Sequence, residues 1–236
     1  MSQARSKIIV ALDYPSAGQA LSFVDSVSPE VCRLKVGKEL FTAEGPGLVK
    51  KLVARGFDVF LDLKFHDIPN TVHNAIAAAC DLGVWMLNVH ALGGREMMSA
   101  ARRAVDTSGP ESRSKLIAVS ILTSTSQQSL TELGIKKTLL QAVTDLTRMS
   151  LECGLDGMVC SAQEAKQLRH EFGADPLLVT PGIRPEGATT DDQQRIMTPV
   201  RAMQAGASYL VIGRPITQHP EPFEELIRIN ASLNNI

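Results

Sequence analysis

The chain has 236 residues, 44% hydrophobic and 21% charged, which is enough apolar content for a sizeable core and too little charge for a disordered segment. Lysine and arginine number 24 against 25 aspartates and glutamates, so a formal net charge of −1 argues against a broadly basic nucleic-acid or anionic-membrane surface and leaves room for a local anion site. Aromatic residues make up 4%, too few for base-stacking platforms.

The polar start, Met1 to Lys7, runs into an apolar stretch at Ile8–Leu12 that is too short for a signal-peptide core. No later apolar run approaches the ~18 residues of a membrane span, so neither export nor a membrane partner is expected. Ile8–Leu12 reads as the first strand, followed by a helix over Ala17–Val27 with Ser16 as its cap. Further strands are predicted at Cys32–Val36, Val59–Leu63, Met86–His90, Leu116–Ile121, Gly157–Cys160, Leu177–Thr180 and Tyr209–Ile212. All are rich in Val, Ile or Leu, the pattern of strands covered on both faces in a parallel sheet. Ser161 is predicted to cap a helix over Ala162–Phe172, and Thr198-Pro199 is a cap followed by proline at the first helical position. Gly56, Gly83, Gly154, Gly173 and Gly206 stand where helices need a left-handed stop. The cysteines, Cys32, Cys80, Cys153 and Cys160, have no C-x-x-C spacing, which points to free thiols in a reducing cytoplasm rather than disulfides or zinc.

Eight strand-then-helix units with no linker or compositional break predict an α/β fold, a (β/α)8 TIM barrel forming one domain over residues 1–236. A doubly wound open sheet is the competing architecture. The polar stretch Glu186–Arg195 is the longest helix-poor insertion after a strand, a lid or surface padding.

In such a barrel the site lies at the carboxyl ends of the strands, and ionisable residues collect there. Asp13 follows the first strand, Lys35 lies near the end of the second, and Asp62, Lys64 and Asp67 cross the end of the third. Alternation places Asp62 and Lys64 on one face, and Lys35 is out of phase with Leu34 and Val36, so all three can point inward. An alternating set of lysines and aspartates would pair the charges, as a structural network or as chemistry. Pro181-Gly182-Ile183-Arg184 after strand seven and Ile212-Gly213-Arg214-Pro215-Ile216 after strand eight place glycine and arginine where this fold usually binds phosphate, and predict a phosphorylated small substrate. His66 and His90 near strand ends lack metal-ligand spacing. Ser120, Thr123 and Ser124 lack the G-x-S-x-G surroundings of a hydrolase nucleophile. Gly93-Gly94 and Gly45-Pro46-Gly47 lack a dinucleotide fingerprint.

The run Asp62-Leu63-Lys64-Phe65-His66-Asp67-Ile68-Pro69-Asn70-Thr71 resembles the signature of the orotidine 5′-phosphate decarboxylase family, in its bacterial branch. Val10-Ala11-Leu12-Asp13-Tyr14, Leu34-Lys35-Val36-Gly37, Pro181-Gly182-Ile183-Arg184 and Val211-Ile212-Gly213-Arg214-Pro215-Ile216-Thr217 extend the similarity in order to the C-terminus. The resemblance implies decarboxylation of orotidine 5′-phosphate to uridine 5′-phosphate, the last step of UMP synthesis, with no cofactor and no metal. It implies that Lys64 protonates C6 of the pyrimidine, that Asp62 lies beside the departing carboxylate, and that Lys35 and Asp67 complete the charged array. Asp13 and Lys35 would contact the ribose and Thr123 the base, while Arg184, Gln193, Gly213 and Arg214 would hold phosphate under the 186–195 lid. It further implies a homodimer in which Asp67 and Thr71 reach the neighbour's site. Two other readings stand beside it: a metal-dependent sugar-phosphate lyase or synthase of the related barrels, and a non-catalytic sensor of phosphorylated ligands.

Overall fold

A computed structural model of the chain describes residues 6–109, 114–185 and 197–234. Eight parallel strands, β1 (Ile8–Ala11), β2 (Arg33–Gly37), β3 (Val59–Phe65), β4 (Met86–His90), β5 (Lys115–Val119), β6 (Gly157–Val159), β7 (Leu177–Thr180) and β8 (Tyr209–Ile212), close in sequence order into a barrel. Closure rests on pairing of β1 with β8, where Ile8 faces Leu210 and Val10 faces Ile212. The predicted (β/α)8 barrel is therefore the fold, and the open sheet is excluded. Every predicted strand is present: β4, β7 and β8 have the predicted ends, and the ends of the others move by no more than two residues. Around the barrel run α1 (Ala17–Val24), α2 (Lys38–Ala54), α3 (Pro69–Cys80), α4 (Gly94–Thr107), the short α5 (Gln127–Glu132), α6 (Leu139–Glu152), α7 (Ala162–Phe172), α8 (Pro199–Gln204), the four-residue α9 (Arg214–Thr217) and α10 (Pro222–Leu233). Among the described residues no helix is long and apolar enough to cross a membrane.

Two apolar layers follow from strand alternation. Ile9, Ala11, Phe60, Met86, Ile117, Val179 and Val211 fill the barrel interior. Residues of the opposite phase, such as Ile8, Val10, Leu34, Val36, Leu61, Leu87 and Val89, pack outward against the helices. Each such fully buried side chain contributes about 1.5–3 kcal/mol, so the helix–strand layer dominates stability. Gly157 is fixed by close approach between strands, since a Cβ there would lie 2.0 Å from the Leu177 carbonyl oxygen.

The amino-terminal end of the barrel is closed by a plug that sequence reading did not anticipate. The Arg33 guanidinium lies 4.6 Å from the Trp85 ring and 4.9 Å from the Tyr209 ring, which meet edge-on at 5.0 Å, and pairs with Asp58 at 3.2 Å. The opposite mouth is left for the polar residues.

Capping is as predicted in two of three places. Ser161 forms a reciprocal capping box with Glu164, and the Thr198 hydroxyl accepts from the Arg201 N–H. Ser16 starts α1 but makes no side-chain cap, and at the same helix end the Glu44 carboxylate of α2 accepts the Ala17 N–H at 2.7 Å. That helix also ends at Val24, short of Val27, where the Ser26 hydroxyl takes the Phe23 carbonyl. All five predicted stop glycines have φ between 75° and 103°.

Candidate active site

Lys35 on β2 and Asp62 and Lys64 on β3 are in phase with the inward-facing Phe60, and the structure brings them together at the carboxyl mouth. The Lys35 Nζ lies 3.2 Å from Asp13 Oδ1 and 3.6 Å from Asp62 Oδ2, and the Lys64 Nζ lies 2.6 Å from Asp62 Oδ1. The order of charges is thus Asp13, Lys35, Asp62, Lys64. Lys35 and Asp62 are nearly buried, while the Asp13 side chain is 65% exposed. Burial opposes ionisation of Asp62, but Lys35 and Lys64, with hydrogen bonds from Lys64 and Asn88, outweigh it and hold the carboxyl below its usual range. Opposite charges ~4 Å apart attract by about 4 kcal/mol at an effective dielectric near 20, comparable to the several kcal/mol lost in desolvating each ion. Such an array adds little to stability, and its value lies in the field it maintains.

The local backbone that aims Lys64 is irregular. Leu61 pairs with Leu87 and Phe65 with Val89, so β3 bulges between them. Lys64 has φ 52°, and among the described residues no other non-glycine residue has positive φ. A left-handed lysine costs on the order of 1–3 kcal/mol and persists only where its surroundings hold it. Here Asn88 on β4 holds it. Its Oδ1 accepts the Lys64 N–H at 2.8 Å, and its Nδ2 donates to Asp62 Oδ1 at 2.8 Å. Sequence reading passed over Asn88. The available signal was an uncharged polar residue in phase with Met86, within the apolar stretch that precedes His90.

Above the array lies a cavity of about 180 Å³, lined by Lys35, Asp62, Lys64 and Thr123 and by apolar groups including Ile121 and Pro181. Its size suits a single ring rather than a whole nucleotide, since pockets that enclose drug-sized ligands run to ~300–1,000 Å³. The predicted phosphate residues Arg184, Gly213 and Arg214 are not among the residues that line it. Gly213 lies close to β1, where a Cβ on it would stand 3.5 Å from Ala11 Cβ and 3.7 Å from Asp13 Oδ2. Arg214 opens α9 and is half-buried. Arg184 is buried, with Nη1 donating to the Ile183 carbonyl at 3.0 Å. Two backbone hydrogen bonds, Arg184 N–H to Met197 and Met197 N–H to Gly182, tie the chain together on either side of residues 186–196. Gln193 and the predicted lid fall outside the described residues.

Asp67 and Thr71 are not brought into this cluster. Both are exposed, and Asp67 Oδ1 accepts the Ile68 N–H at 2.6 Å. Among the described residues no ion pair joins Asp67 to the array, whose fourth member within the chain is Asp13 instead. Ile68 is 67% exposed and Leu92 45%, beside stacked rings of His66 and His90 at 5.4 Å. Burial first, and then the neighbouring charges of His66, Lys38 and Lys64, hold His90 below its usual pKa. Among the described residues no group of three or more His, Cys, Asp or Glu could hold a metal ion.

The profile of the orotidine 5′-phosphate decarboxylase / HUMPS family matches residues 6–229. The orotidine 5′-phosphate decarboxylase of Nitrosococcus oceani is 56% identical over 232 residues, covering 98% of this chain and 99% of its own. The enzyme of the same name from Escherichia fergusonii is 56% identical over 228 residues, covering 97% of this chain and 93% of its own. Among solved structures, the orotidine 5′-phosphate decarboxylase of Lactobacillus acidophilus superposes with a TM-score of 0.88 at 38% identity, covering 98% of this chain and 100% of that one.

Proposed function

The chain belongs to the orotidine 5′-phosphate decarboxylase / HUMPS family, and on that premise we propose that Lys64 is the proton donor of its reaction. That reaction is decarboxylation of orotidine 5′-phosphate to uridine 5′-phosphate and CO2, the final step of UMP synthesis. The observation that carries the assignment is the contact of Lys64 Nζ with Asp62 Oδ1 at 2.6 Å on the wall of the mouth cavity.

The bond between C6 and the carboxylate carbon breaks, CO2 departs, and the electron pair stays on C6. No carbonyl is placed to delocalise that pair. A fixed ammonium beside C6 stabilises the developing charge more strongly in an enclosed site than in water, and then delivers its proton to C6. Lys64 recovers the proton from solvent, so the balance is substrate plus one proton giving product plus CO2. Asp62 holds the ammonium in place and lies beside the departing carboxylate. Lys35, between Asp13 and Asp62, orients both; with Asp13 it meets the ribose.

Thr123 approaches the base, and Arg184, Gln193, Gly213 and Arg214 bind the phosphate. Binding energy gained at that remote group is available to order the site. Asp67 and Thr71 serve the neighbouring site of a homodimer, for which their exposure at the same rim as Ile68 and Leu92 is the support. Four free thiols, three of them buried, favour a reducing cytoplasm. The test is a spectrophotometric assay with orotidine 5′-phosphate, with and without EDTA. Turnover that survives the chelator supports a metal-free mechanism, and loss of turnover with EDTA overturns it.

A further inference from the structure

The β3 bulge has a partner built for it. Between the pairs Leu61–Leu87 and Phe65–Val89, β3 runs through Asp62, Leu63 and Lys64 while β4 offers the single residue Asn88. A bulge interrupts the ladder and leaves backbone groups to be satisfied by other means. Asn88 is fully buried, aligned with the inward-facing Met86, and opposite Ile117 on β5. Its carboxamide makes two hydrogen bonds of 2.8 Å, one from the Lys64 N–H and one to the Asp62 carboxylate. The amide orientation is dictated chemically, because an N–H needs an acceptor and an ionised carboxylate needs a donor.

We propose that Asn88 is a positioning residue for the decarboxylation: it fixes the left-handed backbone of Lys64 and the carboxylate that the Lys64 ammonium rests on. This rests on the reading of Lys64 as proton donor. One side chain thereby sets both ends of the Lys64–Asp62 pair, the backbone from which the ammonium is extended and the oxygen that stops it. Aspartate in this place accepts but donates only when protonated, leucine does neither, and alanine leaves a void as well. The charged and titratable groups facing the site are Asp62 and Lys64 on β3, with Lys35 of β2 beyond Asp62 and His90 two residues along β4.

The experiment is steady-state kinetics of Asn88→Ala and Asn88→Asp between pH 5 and 8, with active sites counted by uridine 5′-phosphate binding at every pH. A misplacement of about 1 Å at a reacting group lowers rate by roughly a hundredfold. Asn88→Ala is expected to lower kcat by about that factor while KM changes less than threefold. In Asn88→Asp, kcat per binding-competent site relative to the native enzyme is expected to rise toward low pH, because a protonated carboxyl reproduces both hydrogen bonds. If Asn88→Ala does not fold, Asn88→Asp, which preserves the volume, decides between the outcomes alone. Native kcat in Asn88→Ala, or a relative kcat of Asn88→Asp that is flat with pH, overturns the proposal. Failure of the underlying reading is separate: it would show as retained turnover in Lys64→Ala.

Discussion

Lys35 and Lys64 share one carboxylate: the first approaches Asp62 Oδ2 at 3.6 Å and the second Asp62 Oδ1 at 2.6 Å. Two ammonium groups are therefore held apart by the two oxygens of a single nearly buried side chain, and each is turned toward the cavity. Asp62 carries the linkage between protonation and fold. Its carboxyl is held below the usual range, so the unfolded chain takes up the proton first as pH falls. The stability it contributes is fully present above about pH 4 and is lost as acid titrates through the lowered folded-state value. Thermal unfolding of the native protein and Asp62→Asn should show the native midpoint declining relative to the variant below about pH 4. A difference that stays constant from pH 7 to 3 would refute the linkage.

Gly37 offers a way to disturb Lys35 without touching it. A Cβ at this position would lie 3.1 Å from Lys35 Nζ and 3.7 Å from Asp13 Oδ1. The crowded atom is the tip of a flexible side chain, so Gly37→Ala should fold and melt almost normally. Displacing the ammonium from its two carboxylates should still lower kcat/KM by about tenfold or more. Native kinetics with a lowered melting temperature would reverse the assignment and make Gly37 a structural position.

Arg214 should act through the phosphate. A well-aligned charge-assisted hydrogen bond contributes about 1.5–3 kcal/mol, so Arg214→Ala is expected to weaken substrate capture tenfold or more. Binding of the nucleoside without phosphate should change far less. Equal losses for both ligands would place the role of Arg214 in folding.

The rim position of Asp67 leads to a genetic test. If Asp67 serves the neighbour's site and Lys64 its own, Lys64→Ala and Asp67→Asn chains refolded together regain one complete site in each mixed dimer. Random pairing makes about half the dimers mixed, each with one good site of two, so about a quarter of native activity should return. Absence of recovery, with mixed dimers verified by mass spectrometry, would assign both residues to one chain's site.

The barrel was legible because its signals are local and repeated. Short apolar runs such as Leu177–Thr180 and Tyr209–Ile212, bounded by turn residues, read as strands covered on both faces, and phase alone turned Lys35, Asp62 and Lys64 inward. What alternation does not encode is a break in alternation. The bulge depends on β3 and β4 advancing at different rates, a relation between strands that neither sequence carries by itself, and so Asn88 went unread. The Arg33–Trp85–Tyr209 plug escaped for a similar reason, since its members stand at the beginnings of three separate strands. Ser16 stands at the start of α1 without capping it, and the side chain that meets that helix end is Glu44, distant in sequence, which accepts the Ala17 N–H.

The most direct test of the account is Lys64→Ala, assayed both for turnover of orotidine 5′-phosphate and for binding of uridine 5′-phosphate. The substitution removes the proton donor and the positive charge nearest C6, and leaves the glycine–arginine turns after β7 and β8 intact. The predicted result is loss of measurable decarboxylation with product binding retained. Substantial turnover by a Lys64→Ala preparation proven free of native enzyme would contradict it.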